Sequence, residues 1–598
     1  MSEQRQNKLI GWALFLGGFF ALLFTEKSVG FTRDESVYFA AAESHARWFT
    51  LLVKEPARAF TDAAIVQAFD YNHEHPALLK NLFGLSYLLF HEGLGWLRPA
   101  AAFRLPAFAF AALILPLIFA LAKDRLGRPA AIFAAISFLL VPRQFFNAHL
   151  SCFDVPVAAM WLLVVHCFWK AQEAPRYWLY TGLAFGAAIA TKHNAFFLPF
   201  VLIPFSLVWG WFASKEKPAA RSSFLQILGG FIAAAAGYGL LVLLWGPEGF
   251  QQKFLLMSPQ IVLFVAAVVF GGWKLRQLHR EDDATFRAVA PLVAMAALGP
   301  VIFYLHWPYL WHHPVDRTAW YLAFHATHNH YAWFYLGELL REPPFPLAYV
   351  LVKTAMTVPT ALFVPIVIGF IAMLVRAARG QATRWDFLVA AHAVASIAII
   401  SSPSVPHFGG VKHWFPSMPF LAMFAGAAVM ASAQGLEEWT RTKTKALPSN
   451  AVFIGISVLL FASPLIATAR YGEYGTSHYS ELAGGLPGAA TAGMQRQFWA
   501  NNVTGVLEWI NKNAQPGERV YLHECHAGQI HDYQRNGMLR TDLRFVGGPF
   551  DADIVAYQYH QEFREQEFNT WQALNTTRPA TGLYLDETPQ VIVYRRSR

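Results

Sequence analysis

The chain has 598 residues, of which 55% are hydrophobic and only 14% are charged, with a formal net charge of +9. Soluble globular proteins carry about 25% charged residues, so the composition excludes a purely water-soluble fold and a disordered protein. The three cysteines, Cys152, Cys167 and Cys525, exclude a disulfide scaffold, and the basic residues stand in short clusters between apolar segments, which indicates cytoplasmic loops and not a nucleic-acid partner.

Apolar segments recur from the N-terminus to about residue 468. They have about 14 to 30 residues each, and a membrane-spanning helix needs roughly 20. They predict a polytopic α-helical membrane protein with thirteen spans, at approximately 9–24, 101–122, 129–142, 155–169, 177–191, 195–213, 224–246, 257–273, 288–305, 346–375, 387–400, 415–433 and 451–468. Because the first segment lacks a small-residue cleavage site, we interpret it as a retained helix and not as a signal peptide.

The apolar stretch 77–90 is short and carries Lys80, so it fits either a further span or a helix in the membrane interface. The distribution of basic residues favours the interfacial helix. With thirteen spans and a cytoplasmic N-terminus, the inner loops hold 20 Lys and Arg residues, and the short outer loops hold six, namely Arg143, Lys192, Lys253, Arg317, Arg341 and Lys412. A span at 77–90 would reverse this bias, against the positive-inside rule. The first outer loop, about 25–100, and the C-terminal tail then face outside.

The chain changes character after about residue 469. Alternating stretches such as 519–525 and 590–596 are separated by helix-like stretches such as 503–518. Alternation of this kind is typical of strands. It predicts a small extracytoplasmic α/β domain over 469–598, following a transmembrane module over 1–468.

Ionisable residues are scarce within the predicted spans, where Arg104, His166, Lys353 and His392 are the main exceptions. Ion-coupled transporters need charged relays at mid-membrane, so the pattern disfavours that class. Acids, histidines and lysines instead gather at the outer ends of the helices. We therefore expect the functional site there.

Two motifs of the first outer loop carry candidate site residues. Asp34 and Glu35 open an amphipathic helix, where an acid is either a first-turn residue favoured by the helix dipole or a general base at the lipid boundary. Residues 73–76 read His-Glu-His-Pro, with His75 before the proline and Lys80 one helical turn beyond it. This turn is either structural, with Lys80 extended along the membrane surface, or part of a binding site.

Later outer connections supply further candidates. Arg143, His149 and Asp154 share one short loop, and Asp154 also fits a helix N-cap. Lys192 and His193 stand at an outer helix junction, where a cation either binds phosphate or anchors the helix end.

A histidine-rich segment follows the ninth predicted span. It holds six of the 22 histidines, namely His306, His312, His313, His325, His328 and His330. This density makes a divalent cation possible, but no specific metal-binding spacing occurs and aromatic-rich loops also form interfacial belts, so we assign no metal ligand. Lys412 and His413 mark the outer start of a later span.

Taken together and in this order, these segments resemble lipid-phosphate-sugar-dependent glycosyltransferases of the GT-C fold, in particular the branch of protein O-mannosyltransferases and lipid A aminoarabinose transferases. The motifs that carry the resemblance are the Asp-Glu pair, the His-Pro turn with its following Lys, Arg-Leu-Pro at 104–106, Asp-x-Pro at 154–156 and Thr-Lys at 191–192. Residues 477–511 also resemble the post-membrane segment of bacterial members. The His-Pro motif reads HPALLK where mannosyltransferases usually have HPPLGK, so mannose specificity is not implied.

The resemblance implies a hexosyl- or pentosyltransferase in the inner membrane, with its active site and C-terminus on the periplasmic side. It would move a sugar from a polyprenyl-phosphate donor to an acceptor hydroxyl or phosphate, with inversion. It implies Asp34 as the catalytic base, Glu35 as a second catalytic candidate or an orienting residue, and a substrate pocket formed by His75, Lys80, Arg143, Asp154, Lys192, His193 and Lys412. Its partners would be the donor, membrane lipids and a protein, lipid or glycan acceptor, and no cofactor is certain.

Two other classes remain as alternatives. One is a flippase or transporter of lipid-linked sugars without transferase activity, which would be expected to show a polar pathway or repeat symmetry within the spans. The other is a non-catalytic membrane scaffold whose outer domain binds a partner, and its function would survive mutation of the Asp-Glu pair.

Overall fold

The computed structural model describes residues 2–245, 257–326, 331–405, 407–442, 448–559 and 561–596. Three residues named above, Lys253, His328 and His330, lie outside the described residues. The helices are α1 (Glu3–Thr25), α2 (Arg33–Lys54), α3 (Pro56–Ala59), α4 (Asp62–Phe69), α5 (Leu78–Tyr87), α6 (Pro99–Leu126), α7 (Arg128–Leu139), α8 (Pro142–His149), α9 (Asp154–Ala171), α10 (Tyr177–Thr191), α11 (Leu198–Ser214), α12 (Pro218–Trp245), α13 (Met257–Glu281), α14 (Asp283–Leu305), α15 (Pro314–Ala326), α16 (Tyr349–Thr357), α17 (Thr360–Ala378), α18 (Arg384–Ile400), α19 (Met418–Arg441), α20 (Ser449–Tyr471), α21 (Gly485–Thr491), α22 (Thr504–Asn513), α23 (Ala527–Arg535) and α24 (Arg564–Leu574).

The predicted fold class, a polytopic helical membrane protein with a small C-terminal sheet, is confirmed. All thirteen predicted spans contain helix. In the described part of the chain, nine helical stretches are long and apolar enough to cross a membrane, or ten if the bent pair α7 and α8 is one span. Three of the other four predicted segments fall short for local reasons. Helices α7 and α8 meet at 69°, and α10 and α18 have only 15 and 17 residues.

The interfacial helix expected at 77–90 corresponds to α5 and a following π-helical turn, Leu88–Gly93. Neither belongs to the nine candidate spans of the described residues. Whether residues 77–90 cross the membrane decides the topology, because each added span would exchange the inside and outside of every later loop.

The described chain divides into two compact units. The first unit comprises Met1–Ala46, Leu82–Ala158 and Asn329–Arg598, and the second comprises Arg47–Asn81 and Ala159–His328. The domain boundary predicted at 468/469 falls near the end of α20, inside the first unit, and that division remains a prediction.

Close helix packing in the first unit depends on small residues. Helix α19 packs against α7 and α17, and a Cβ at Gly426 would lie 2.4 Å from the Ala130 carbonyl oxygen. Packing of small residues is the usual way for membrane helices to approach each other, because lipid provides no hydrophobic force to press them together. Helix α6 packs against α1 and α7.

The second unit uses the same principle. Helix α10 packs against α14, and a Cβ at Gly182 would lie 2.6 Å from the Ala294 carbonyl oxygen. A buried cluster that includes Phe224, Leu278 and Phe286 fills the space between α12, α13 and α14.

A mixed five-stranded sheet forms the C-terminal part of the first unit. Its strands are β3 (Arg519–Leu522), β4 (Arg544–Phe545), β5 (Ile554–Gln558), β6 (Thr581–Leu585) and β7 (Thr588–Arg595), in the order β4-β3-β5-β7-β6. Strand β3 pairs in parallel with β4 and β5, with Val520 opposite Ile554, and β7 is antiparallel to β5 and β6. All five residues of β5 are buried, as expected for a central strand covered on both faces. A separate two-stranded hairpin, β1 (Trp333–Tyr335) and β2 (Glu338–Leu340), precedes α16.

Candidate functional site

Asp34 lies in the first turn of α2, within the first unit. Its Oδ2 accepts a hydrogen bond from Lys412 Nζ at 2.8 Å. The Asp34 side chain is 32% exposed and that of Lys412 only 10%. The carboxylate is therefore held by one cation and still reaches solvent, which is the accessibility that a general base for an incoming acceptor needs.

Glu35, the neighbouring acid, is completely buried. Arg104 donates to both of its oxygens, from Nε at 2.8 Å and from Nη2 at 2.7 Å, and the Ser151 amide donates to Oε1 at 2.9 Å. The same guanidinium also donates to the carbonyls of Val29 and Gly30. Glu35 thus joins the start of α2 to α6 and to the turn before α9, and its surroundings favour the orienting role over the catalytic one.

Asp154 and Cys152 lie close to the same carboxylates. Asp154 is buried in the first turn of α9. Burial raises the pKa of Cys152 well above its ordinary value, and the negative charges of Asp34, Glu35 and Asp154 act in the same direction while Lys412 opposes them. The thiol is therefore protonated, and all four charged groups are near enough to act on it electrostatically.

Three buried basic side chains of the first unit contact an adjacent pair of aromatic residues, Phe498 and Trp499. Lys412 Nζ lies 4.4 Å from the centroid of the Trp499 ring. Lys353 Nζ and the Arg143 guanidinium carbon lie 5.3 and 5.9 Å from the centroid of the Phe498 ring. Contacts of this kind stabilise a desolvated cation by about 2 kcal/mol or more.

Two of these basic side chains, Lys353 and Arg143, contact the same tyrosine, Tyr479. Lys353 donates a hydrogen bond to the Tyr479 hydroxyl, and the Arg143 guanidinium carbon lies 5.0 Å from the centroid of the same ring. Arg143 Nε donates to the His478 carbonyl at 3.1 Å, whereas Nη2 has no hydrogen-bond partner among the described residues. A buried guanidinium with an unused donor is suited to an anionic oxygen.

The C-terminal part of the chain holds the segment that leads into α2. Gln529 Nε2 donates to the Phe31 carbonyl at 2.6 Å, and the Phe31 amide donates to the Tyr533 hydroxyl at 3.2 Å. The Arg33 amide donates to the Trp499 carbonyl at 3.2 Å, and Arg33 also pairs with Glu524. These contacts fix the approach of the chain to Asp34.

The second unit contains the other predicted site residues. Lys80 is fully buried, and its Nζ donates to the carbonyls of Asn72 and His75 at 2.6 and 2.9 Å. Burial lowers the pKa of Lys80 to about 7, against the opposite effect of Glu74. The amine therefore stabilises the turn that carries His75, and its role in substrate binding stays a prediction.

His75, His193 and His325 converge in the second unit. One potential ligand atom from each lies within 4.8 Å of the others. Burial lowers the pKa of His75 well below its ordinary value, and the nearby positive charges of Lys192 and Lys80 act in the same direction. The imidazole of His75 is therefore neutral near pH 7.

The predicted site residues thus form two groups, each within one unit. Asp34, Glu35, Arg143, Asp154 and Lys412 lie together in the first, and His75, Lys80, Lys192 and His193 lie together in the second. Five further residues of these groups were not predicted as site residues from the sequence: Lys353, Tyr479, Phe498, Trp499 and His325. A charged residue inside a predicted span was a usable indication for Lys353, whereas nothing local distinguishes the aromatic residues from others in this aromatic-rich chain.

Comparison with known proteins gives one family. Residues 74–237 match the family described as dolichyl-phosphate-mannose-protein mannosyltransferase. The search of curated proteins gives no match. The resemblance predicted from the sequence motifs is thereby confirmed over these residues, and the match supports the coarse prediction of a membrane glycosyltransferase.

Solved structures with a similar course of the chain include ArnT from Cupriavidus metallidurans bound to undecaprenyl phosphate, with 16% identity, a TM-score of 0.45 and coverage of 98% of both chains. Another is the archaeal oligosaccharyltransferase AglB from Archaeoglobus fulgidus in complex with an inhibitory peptide and a dolichol-phosphate. It has 13% identity and a TM-score of 0.45, with coverage of 88% of this chain and 60% of that chain.

Proposed function

We propose that the chain is an integral membrane glycosyltransferase that moves a sugar from a polyprenyl-phosphate donor to an acceptor hydroxyl or phosphate, with inversion at the anomeric carbon. The observation that carries the proposal is the grouping, in one unit, of a partly exposed carboxylate with three buried basic side chains around Phe498 and Trp499. The family match over residues 74–237 supports the reaction class.

Asp34 is the proposed base for an acceptor hydroxyl. Its carboxylate removes the hydroxyl proton as the acceptor oxygen attacks the anomeric carbon. The bond between that carbon and the phosphate oxygen breaks, and the lipid phosphate leaves with the bonding electrons and one additional negative charge. A positioned base contributes about 10²- to 10⁴-fold to such a step.

The leaving phosphate needs positive charge and no proton. Arg143 and Lys353 are the proposed groups for this role, because both are buried, and Arg143 has an unused donor. Lys412 has a second role, since its hydrogen bond to Asp34 orients the base. Removal of one preorganised electrostatic donor costs about 10²- to 10³-fold in comparable sites.

The remaining predicted residues have supporting roles in this proposal. Glu35 orients the start of α2 through Arg104. Asp154 contributes to the polar surroundings of Asp34. His75, Lys192 and His193 stay predicted substrate-binding residues, and Lys80 positions the turn of His75. The proposed location is the inner membrane, with the site and the C-terminus in the periplasm.

The test is sugar transfer by membranes that contain equal amounts of wild-type, Asp34→Asn or Asp551→Asn protein. A panel of polyprenyl-phosphate sugars serves as donors, with separate acceptors that present protein, lipid and glycan hydroxyls. Asp551 is an exposed acid in the C-terminal region, so its variant is the matched control for the same chemical change. We expect transfer to fall by about 10²- to 10⁴-fold in Asp34→Asn only. Undiminished transfer by Asp34→Asn would remove Asp34 from the role of base.

The same membranes separate the transferase from a flippase. Reconstituted protein that moves a donor lipid across a bilayer and never consumes it would contradict the transferase. A non-catalytic scaffold would transfer no sugar, and its binding of a partner would be unchanged in Asp34→Asn.

A further inference from the structure

Three histidines from three different elements of the second unit meet at one point. His75 lies in the turn before α5, His193 begins the 3-10 turn after α10, and His325 is the penultimate residue of α15. The ring centroids of His193 and His325 are 3.9 Å apart, and those of His75 and His325 are 6.1 Å apart. Residues so far apart in sequence reach one point only because the fold brings the three elements together.

We propose that His75, His193 and His325 form a Zn²⁺ site. Each offers one ring nitrogen, and these nitrogens lie within 4.8 Å of one another. Three imidazoles are a known ligand set for zinc, with the fourth tetrahedral position left for another ligand. The site is independent of the proposed transfer reaction, which needs no metal ion for the groups of the first unit.

The hydrogen bonds around the cluster match what a metal site requires. The His325 Nε2 atom lies 2.9 Å from the Glu74 carbonyl oxygen, to which it can only donate. This fixes the tautomer and leaves Nδ1 with the lone pair. A metal-bound histidine usually donates its other ring N–H to a carbonyl or carboxylate in this way.

The turn that carries His75 is also held in place. Lys80 Nζ donates to the carbonyls of Asn72 and His75, and Asn72 Nδ2 donates to Glu74 Oε1 at 2.5 Å. His75 is therefore presented from a turn with fixed geometry, and this lowers the entropy that is lost when a ligand set closes on an ion.

Zinc binding requires a small movement of the rings. With Zn–N distances of 2.0–2.1 Å, tetrahedral ligand nitrogens are about 3.4 Å apart. His193 and His325 are now stacked with an interplanar angle of 26°. Rotation of the rings about their side-chain bonds turns their nitrogens toward a common centre, and no backbone displacement is needed for nitrogens already within 4.8 Å.

The proposal is tested on the purified full-length protein after removal of metal by a chelator. Titration with Zn²⁺ alone, followed by calorimetry, is expected to show one high-affinity equivalent per chain. His325→Gln and His193→Gln should each weaken this binding by more than the roughly 10- to 100-fold caused by loss of an outer-shell partner. His312→Gln is the matched control, because His312 is an exposed histidine of the same segment whose ring nitrogen contacts the Phe60 carbonyl.

Co²⁺ substitution supplies a second readout, because a tetrahedral complex has an intense visible spectrum that either His variant should abolish. Unchanged thermal unfolding of the metal-free variants shows that they are folded. The proposal would be overturned if the native chain bound no Zn²⁺ equivalent with high affinity. It would also be overturned if His325→Gln and His193→Gln both bound Zn²⁺ as tightly as the native chain, and the three rings would then be a packing cluster.

Discussion

Asp34 and Glu35 are adjacent in sequence and have opposite surroundings. Asp34 is partly exposed and is held by Lys412, whereas Glu35 is completely buried and forms a two-point contact with Arg104. Successive residues of a helix point about 100° apart, so one can face a cleft while the other faces the core. The sequence pair therefore contains a proposed base and a positioning residue.

Glu35→Gln is expected to destabilise the protein. It removes one of the two carboxylates that neutralise the buried Arg104 guanidinium and leaves only Glu26. Breaking a buried ion pair costs about 3 to 5 kcal/mol. We expect the thermal unfolding temperature to fall clearly more for Glu35→Gln than for Asp34→Asn, because the Glu35–Arg104 pair is completely buried and the Asp34 side chain is partly exposed. The measurement is thermal unfolding of purified protein in detergent. Equal unfolding temperatures for the two variants would contradict the division of roles.

Lys353→Met tests whether the buried basic side chains stabilise the leaving phosphate. Methionine matches the length of the lysine stem, and the amine has a tyrosine hydroxyl and aromatic faces as its surroundings. We expect kcat to fall by about 10²- to 10³-fold with the fold retained. Lys512→Met, at an exposed position of α22, is the control. If transfer kinetics of Lys353→Met equal those of the control, Lys353 does not stabilise the leaving phosphate.

At the scale of elements, helix α23 clamps the chain that leads to the proposed base. Gln529 and Tyr533 hold Phe31, and Arg535 pairs with Glu43 of α2 and with Asp532. The clamp places several ionisable groups in a buried contact, and this makes its strength dependent on pH.

Asp532 gives the direction of that pH dependence. Burial raises its pKa from 3.8 to about 6, and Glu35 and Glu43 act in the same direction, while Arg535 and Ser36 oppose them. The folded chain therefore retains a proton that the unfolded chain releases, so the stabilisation is complete below pH 3.8 and is lost as the pH rises through about 6.

We expect the difference in unfolding temperature between wild type and Asp532→Asn to become less favourable to wild type from pH 4 to pH 7. The corresponding change in free energy of unfolding is about 2 kcal/mol. Asp551→Asn, at an exposed position, is the control for the same chemical change. A pH-independent difference for Asp532→Asn would mean that its proton is not bound in the folded state.

The sequence predicts the helices better than the tertiary contacts between them. Continuous apolar segments of about 20 residues were sufficient to identify helix in all thirteen predicted spans, because lipid imposes both length and composition on a spanning helix. The pairing of Asp34 with Lys412 joins residues 378 positions apart, and no local pattern encodes such a contact. Lys353 and His325 were visible as unusual residues, but their partners depended on tertiary packing.

At the scale of the whole molecule, the number of spans decides which loops share a side of the membrane. The distribution of Lys and Arg predicts thirteen spans, whereas length and composition alone identify nine in the described residues. Both odd numbers place the C-terminal tail opposite a cytoplasmic N-terminus. They differ in the middle of the chain, where the turn between α17 and α18 follows ten spans in one case and seven in the other.

Cysteine labelling of that turn distinguishes the two topologies. Gln381 is exposed between α17 and α18, and Asp551 is exposed in the C-terminal region. With thirteen spans, a membrane-impermeant maleimide should label Asp551→Cys in intact cells, and should label Gln381→Cys only after the membrane is permeabilised. The native protein, with Cys152 and Cys167 buried, gives the background. Labelling of Gln381→Cys in intact cells would favour nine spans. In that case an odd number of the three helices α7, α10 and α13 would not cross the membrane separately, because these are the crossings before residue 381 that only the thirteen-span prediction contains.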